Sequence, residues 1–149
     1  MSVGEVCVRE VVVAGRKDSV AELARLMRRH HVGSVVIVEE VGGMHRPVGI
    51  VTDRDLVVEV LAMEVAPDSL TAEDVMSFRL LTARESDGLW ETLQRMKAKG
   101  VRRLPVVDDP GALVGILSAD DLLDLLAEEL NDLVRVIRRE ISRERESRR

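Results

Sequence analysis

The 149-residue sequence contains almost no aromatic residues, with one Trp, one Phe and no Tyr, and only one cysteine. Two aromatic rings cannot form the stacking surface on which proteins commonly hold single-stranded nucleic acid. A lone Cys7 excludes an internal disulfide and a cysteine-based metal site. The 27 acidic and 22 basic residues give a net charge of −5, which disfavours a protein dedicated to binding the phosphate backbone of nucleic acids.

Long apolar stretches are missing as well. No segment approaches the roughly 18 consecutive apolar residues that a membrane-spanning helix needs. The first ten residues contain acidic side chains and no uninterrupted apolar run, so they do not resemble a secretory signal. We therefore expect a cytoplasmic protein with no membrane attachment.

Aliphatic residues supply the core instead. The sequence has 25 Val, 18 Leu and 5 Ile, which is too apolar for a disordered chain. This length and composition support one compact unit, or two small units that share a core.

An internal repeat organises the chain. Val6–Val38 and Val75–Val107 are related by a shift of 69 positions and are identical at 7 of 33. The shift then falls to 66, where Val48–Leu56 matches Val114–Leu122 at 5 of 9 positions. A weak match that contains one sharp block indicates a duplicated module.

Each copy predicts the order β-α-β-β-α, because short apolar runs alternate with segments whose apolar residues recur at helical spacing. We expect repeat 1 over residues 1–67 and repeat 2 over residues 68–129, packed sheet against sheet in an α/β (α+β) fold. Strands are predicted at Val11–Val13, Val35–Val38 and Val48–Val51, and in the second copy at Leu80–Thr82, Leu104–Val107 and Val114–Leu117.

The last segment, residues 130–149, departs from the repeat and predicts an extended C-terminal helix. An apolar seam continues along it, and the tail Arg138–Arg149 holds six Arg and three Glu. A solvated helix end, with arginines favoured by the helix dipole, is one interpretation. A helix that dimerises or docks a partner is another, and nucleic-acid binding is a weaker third.

A hydroxyl and an acid recur at the same place in both copies. Thr52-x-x-Asp55 and Ser118-x-x-Asp121 each follow a Gly-apolar-apolar strand end, where they have the spacing of helix N-caps. Helix capping alone would explain them. A helix N-terminus also offers backbone N–H groups to a phosphate, while the carboxylate could accept from a ribose diol. The same residues could therefore hold a nucleotide.

Together, the tandem β-α-β-β-α pattern and the pair G-I-V-T-D-R-D-L and G-I-L-S-A-D-D-L resemble a pair of cystathionine-β-synthase (CBS) domains, a Bateman module. The resemblance covers about residues 3–129. It implies that the two units pack through their sheets with pseudo-twofold symmetry and leave two clefts. These clefts would bind adenosine-containing ligands, most often AMP, ADP or ATP and sometimes S-adenosylmethionine or a dinucleotide. By the same resemblance, Asp55 and Asp121 would hold the ribose, and Thr52 and Ser118 would face the phosphate.

Further site residues follow from this resemblance. The family often places a hydroxyl at the end of the first strand, where this sequence has Val13 in copy one and Thr82 in copy two. Arg54 could assist a phosphate, and Asp120 stands in its place in copy two. We therefore expect two unequal clefts. The segments expected to lie against adenine are Val32, Gly33, Ser34 and Val35, and in copy two Val101, Arg102, Arg103, Leu104 and Pro105.

These observations predict a non-enzymatic sensor that binds an adenine nucleotide, requires no cofactor or metal, and forms a homodimer that regulates a further protein. The competing hypothesis is an interaction module with vestigial clefts that works through its C-terminal helix. S-Adenosylmethionine is the alternative ligand, and nucleic acid is an unlikely partner.

Overall fold

The computed structural model describes residues 1–77 and 79–148. They form two compact units, Met1–Leu117 and Ser118–Arg149. Arg149, the last residue of the predicted basic tail, lies outside the described residues.

The first unit contains the predicted duplication as two three-stranded sheets with the same strand order, β1-β2-β3 and β4-β5-β6. In each sheet the first two strands pair in parallel. β2 and β3 pair antiparallel, as expected for a hairpin. This confirms the predicted α/β class. The strands are β1 Val13–Gly15, β2 Ser34–Val41, β3 Met44–Thr52, β4 Ala83–Arg84, β5 Arg103–Val107 and β6 Leu113–Ser118.

One long helix follows the first strand of each repeat, α2 Val20–His30 and α5 Leu89–Lys99. α2 begins where the Ser19 hydroxyl accepts from the Glu22 N–H at 3.1 Å, and it ends at His31 with φ of +53°. α5 ends at Gly100, whose φ of +66° suits a residue without a Cβ. The remaining helical segments are α1 Val3–Val6, α3 Asp53–Leu56, α4 Ala72–Val75 and α6 Ala119–Ser147, with a π turn at Val57–Leu61 and a 3-10 turn at Pro67–Ser69.

The first strand of each repeat begins later than its apolar run predicts. β1 starts at Val13 and β4 at Ala83, whereas the predicted strands start at Val11 and Leu80. The Val12 carbonyl continues the pairing of β1 with β2 by accepting from the Val36 N–H at 3.0 Å. The other apolar residues of these runs lie in extended segments that line cavities.

The two repeats exchange the segments that precede their first strands. The segment before β1 packs on the second repeat, and the segment before β4 packs on the first repeat. The N–H groups of Val3 and Gly4 in α1 donate to the carbonyls of Asp87 and Glu85 at 2.9 and 2.8 Å. Val8 and Ile116 exchange two backbone hydrogen bonds of 2.9 Å.

The segment around α4 does the same for the first repeat. The Ala72 N–H donates to the Asp18 carbonyl at 2.8 Å. Ala72 and Met76 belong to the core that contains Leu23, Ile37 and Val51. These exchanged segments, residues 1–8 and 70–77, explain how two repeats of about 60 residues, each marginal alone, reach a stable core.

Val3→Ala is expected to lower the free energy of unfolding by about 2 kcal/mol, because it leaves a cavity against the second repeat. The Val3 side chain is fully buried. Urea denaturation measures the change, and Val8→Ala is the matched control, since Val8 is 42% exposed. Equal losses in the two variants would contradict the role assigned to α1.

The second unit is α6 alone, a helix of 29 residues. The Ser118 hydroxyl caps it by accepting from the Asp121 N–H at 3.1 Å. Leu122 is its buried residue among those described, and most of its other large apolar side chains are exposed.

Candidate functional site

A cleft of about 430 Å³ opens within the first unit. This volume is within the range of small-molecule sites in proteins. Four segments contribute to it, namely the end of β3, the start of α3, the segment before β4 and the segment between α5 and β5. The lining residues are Ile50, Thr52, Asp53, Arg54, Asp55, Ser77, Arg79, Leu80, Leu81, Gly100, Val101, Arg102 and Arg103.

Thr52 and Asp55 form a capping box at the edge of this cleft. The Thr52 hydroxyl accepts from the Asp55 N–H at 3.2 Å, and the Asp55 Oδ2 accepts from the Thr52 N–H at 2.8 Å. The capping interpretation is therefore confirmed. It leaves the Thr52 hydroxyl proton and the Asp55 Oδ1 for further hydrogen bonds, so the pair can cap the helix and still contact a ligand.

The backbone N–H groups at the start of α3 already have partners. The Asp53 N–H donates to the Gly33 carbonyl at 2.9 Å, and the Arg54 N–H donates to the Asp53 Oδ1 at 2.8 Å. With the Asp55 N–H on Thr52, these three groups are occupied. The expectation that they would hold a phosphate therefore does not match the geometry, and any attraction for an anion must come from side chains.

Arginine side chains supply that attraction. Four arginines, Arg54, Arg79, Arg102 and Arg103, are among the residues that line the cleft, together with two aspartates, Asp53 and Asp55. A cleft lined by an excess of one sign concentrates ligands of the opposite sign. Arginine also matches the geometry of phosphate and carboxylate oxygens. The cleft thus suits an anionic ligand.

Apart from Ser77 and Gly100, the rest of the lining is aliphatic. Ile50, Leu80, Leu81 and Val101 are each partly exposed there. An apolar wall with a few polar groups is typical of sites that bind flat or hydrophobic ligand moieties. Among the described residues, 1–77 and 79–148, no aromatic ring contributes to this wall.

Six predicted site residues meet in this cleft, and they come from both repeats. Thr52, Arg54 and Asp55 belong to copy one, whereas residues 101–103 belong to copy two. Gly33 lies at the border, since a Cβ there would stand 3.1 Å from the Asp53 Oδ2 and 3.3 Å from the Arg103 Nη2. The repeat pattern predicts a separate set of site residues in each copy, whereas the fold brings residues of both copies into one cleft.

Other predicted residues lie elsewhere in the first unit. Val13 and Val32 line a second cavity of about 530 Å³ together with Glu10 and His30. Thr82 lines a third cavity, and its carbonyl accepts from the Arg95 Nη1 at 3.3 Å.

The remaining predicted residues are part of strands or of the α6 cap. Ser34 and Val35 pair with Thr52 and Val51 in the first sheet. Leu104 and Pro105 are buried in β5, and Ser118 and Asp121 cap α6.

Several lining residues are not among those predicted from the sequence, and two of them, Arg79 and Asp53, carry charge. Arg79 was available from the repeat, because the shift of 69 aligns it with Glu10. Because Arg79 stands where the other copy has Glu10, the cleft of Thr52 and Asp55 is more basic than the cavity that Glu10 lines. Ser77 is in the lining because its N–H donates to the Ile50 carbonyl at 3.3 Å, a long-range contact with no local pattern.

Two further results concern the described residues as a whole. In residues 1–77 and 79–148, no group of three or more His, Cys, Asp or Glu is placed to hold a metal ion. Nor does any helix in this part of the chain have the length and hydropathy to cross a membrane.

Burial raises the pKa of the Cys7 thiol, which keeps it protonated at neutral pH.

Comparison with known proteins gives consistent matches. The family model described as "CBS domain" matches residues 3–62 and 72–128. An uncharacterized protein of Methanopyrus kandleri is 42% identical over 125 residues, which cover 84% of this chain and 62% of that protein. The chain thus spans less than two thirds of that relative.

Two solved structures with bound ligands are also similar. A CBS domain pair in complex with 5'-methylthioadenosine and S-adenosyl-L-methionine superposes with a TM-score of 0.76 and 26% identity, over 87% of this chain and 98% of that one. A CBS domain protein of Pyrobaculum aerophilum complexed with AMP gives 0.73 and 25%, over 85% and 99% of the two chains.

Proposed function

Because the chain belongs to the CBS domain family, of which it carries a tandem pair, we propose that it is a regulatory module that binds an adenine nucleotide in the cleft of Thr52 and Asp55. The observation that carries the proposal is the meeting of this hydroxyl–carboxylate pair with four arginines and an aliphatic wall. Ligands that contain adenosine occupy two similar solved structures, which supports the same ligand class here.

The charge of the cleft favours AMP, ADP or ATP over S-adenosylmethionine. Arg54, Arg79, Arg102 and Arg103 outnumber the two carboxylates, so they attract phosphate groups and repel the sulfonium cation. Methylthioadenosine carries no phosphate and gains nothing from these arginines. We therefore place S-adenosylmethionine second.

Each part of the nucleotide has a proposed contact. The Asp55 carboxylate accepts from the ribose hydroxyls, and the Thr52 hydroxyl and the arginines bind the phosphate. The adenine ring packs against Ile50, Leu80 and Val101, and backbone groups read its edge, because none of the described residues that line the cleft is aromatic. Ser118 and Asp121 repeat the hydroxyl–carboxylate pair and stay candidates for a second ligand.

Regulation follows from the composition of the cleft. Its walls come from both repeats, so the affinity for a ligand depends on how the repeats are arranged. By linkage, the ligand then favours the arrangement that binds it best, and a second protomer or a regulated protein responds to that shift. The proposal is a binding role without catalysis, in a protein that acts as a homodimer.

Calorimetric titration of the ligand-free protein tests the proposal. AMP is expected to bind at least tenfold more tightly than adenosine, because only AMP engages the arginines. Arg103→Gln should weaken AMP binding about tenfold and leave adenosine unchanged. Arg25→Gln is the control, since Arg25 forms a surface ion pair with Glu22 on α2. Failure of AMP, ADP, ATP and S-adenosylmethionine to bind would refute the nucleotide function.

A second candidate function is an interaction module with vestigial clefts. The exposed apolar side chains of α6, such as Leu130 at 64% and Leu133 at 62%, favour it. The titration separates the two, because only the nucleotide function requires an occupied cleft.

A further inference from the structure

Helix α6 has an unusual distribution of charge. Its first half, residues 119–134, holds six acidic residues and no basic one. Its second half, residues 135–148, holds six arginines and three glutamates. The helix is therefore negative at its N-terminal half and positive at its C-terminal half, which also complements the helix dipole.

The same helix carries a row of exposed apolar side chains. Leu126, Leu130, Leu133, Ile137 and Ile141 recur every three or four residues and share one face. Their exposed fractions run from 40% to 64%. The row extends over about 22 Å of helix. Soluble proteins rarely leave such a stripe in water without a partner.

We propose that α6 pairs antiparallel with α6 of a second copy of this chain, about a twofold axis near Leu133. In this arrangement the acidic half of each helix lies along the basic half of the other, so residues such as Glu128 and Glu129 face Arg138 and Arg139 of the second copy. A parallel pair would place acid beside acid and arginine beside arginine instead. The apolar row becomes the buried seam.

A second copy fits this surface better than an unrelated occupant does. The surface requires a helix with an apolar face and with charge of the opposite order along its length. α6 in reversed direction has both properties, so the surface is self-complementary. A twofold interface needs this property, because the same patch serves both subunits.

The oligomeric state of the full chain tests the pairing. Leu130→Glu should raise the dissociation constant of the α6-mediated association at least tenfold in sedimentation equilibrium, since it places a charge in the seam. Asn131→Glu adds the same charge to the neighbouring position, off the apolar row, and should change it less than twofold. Circular dichroism checks that both variants stay folded. Equal association in the two variants would overturn the proposal, as would a monomeric parent chain.

Charge reversal provides an independent measurement. The chain with Glu128→Arg and Glu129→Arg, and the chain with Arg138→Glu and Arg139→Glu, should each associate at least tenfold more weakly than the parent. An equimolar mixture of the two should recover the association as a heterodimer, because opposite charges then face each other along both halves. Association of either variant alone at the parental strength would overturn the proposal.

Spin-label distances determine the direction of the helices. A label at Glu146→Cys, in a Cys7→Ala background, should give a separation of about 40 Å in the antiparallel pair, since each label lies 13 residues from Leu133. A parallel pair would bring the two labels within about 20 Å. The short distance would refute the antiparallel arrangement even if the chain dimerises.

Discussion

Replacing Asp55 with alanine is expected to weaken AMP binding by about 100-fold, because hydrogen bonds from both ribose hydroxyls to a carboxylate are lost. The expectation rests on the proposed nucleotide function. Asp55 lines the cleft, and its Oδ1 is available beyond the bond that Oδ2 accepts from the Thr52 N–H. Calorimetric titration with AMP measures the loss directly.

The chain offers a matched control for the second role of Asp55, which is helix capping. Asp74 forms the same capping box with Thr71 at the start of α4, where its Oδ2 accepts from the backbone N–H at 2.8 Å and from the hydroxyl at 3.1 Å. These two hydrogen bonds lower the pKa of Asp74, so the box is intact at neutral pH. Asp74 is not among the residues that line the cleft.

The two variants should therefore differ in binding and agree in stability. Asp55→Ala and Asp74→Ala should each lower the free energy of unfolding by about 1 kcal/mol through the lost cap. Only Asp55→Ala should lose AMP. If Asp74→Ala weakened AMP binding equally, the effect would be one of stability, and Asp55 would have no contact with the ribose.

Gly115→Ala is expected to lower the free energy of unfolding by about 3 kcal/mol, at the upper end for overpacking. A Cβ at this position would stand 2.7 Å from the Cys7 Sγ and 2.9 Å from the Val8 carbonyl oxygen. That carbonyl is fixed, because it accepts from the Ile116 N–H at 2.9 Å. Relief of the clash would break the contact that holds residues 1–8 on the second repeat.

Alanine substitutions at two other glycines should cause smaller losses of stability. A Cβ at Gly49 would stand 2.6 Å from the Met76 Sδ, 2.9 Å from its Cγ and 3.0 Å from its Cβ. Rotation of the methionine relieves only part of this clash, but none of these atoms is backbone, so Gly49→Ala should destabilise less than Gly115→Ala. At Gly88 the nearest atom is the Glu91 Oε2 at 3.4 Å, so Gly88→Ala should have little effect. Urea denaturation of the three variants should give this order, and equal losses for Gly115→Ala and Gly88→Ala would contradict the packing explanation.

Local features of the fold could be predicted from the sequence because neighbouring residues determine them. The caps at Thr52 and Ser118 depend on a hydroxyl that accepts from the backbone N–H three positions on, and both hydrogen bonds are present. The apolar spacing of α2 likewise predicts its buried face, which contains Val20, Leu23 and Met27.

Features that depend on the arrangement of the repeats could not be predicted in this way. Gly49 and Gly115 belong to the repeated motif, but the structure explains them by the close approach of Met76 and Cys7, which lie 27 and 108 positions away. The cleft combines Asp55 with Arg79 and Arg103 for the same reason. No local sequence pattern indicates which segment of one copy contacts which segment of the other.

The exchanged segments constrain the order in which the parts of the chain can fold during synthesis. Val8 pairs with Ile116, so residues 1–8 wait for more than 100 further residues to be synthesised before their partner exists. Contacts this far apart in sequence slow folding. We expect that a chain cut between residues 67 and 68 yields two fragments that each lack a piece of their own core. Residues 1–8 should therefore stay accessible to proteases until β6 has been synthesised and Val8 can pair with Ile116.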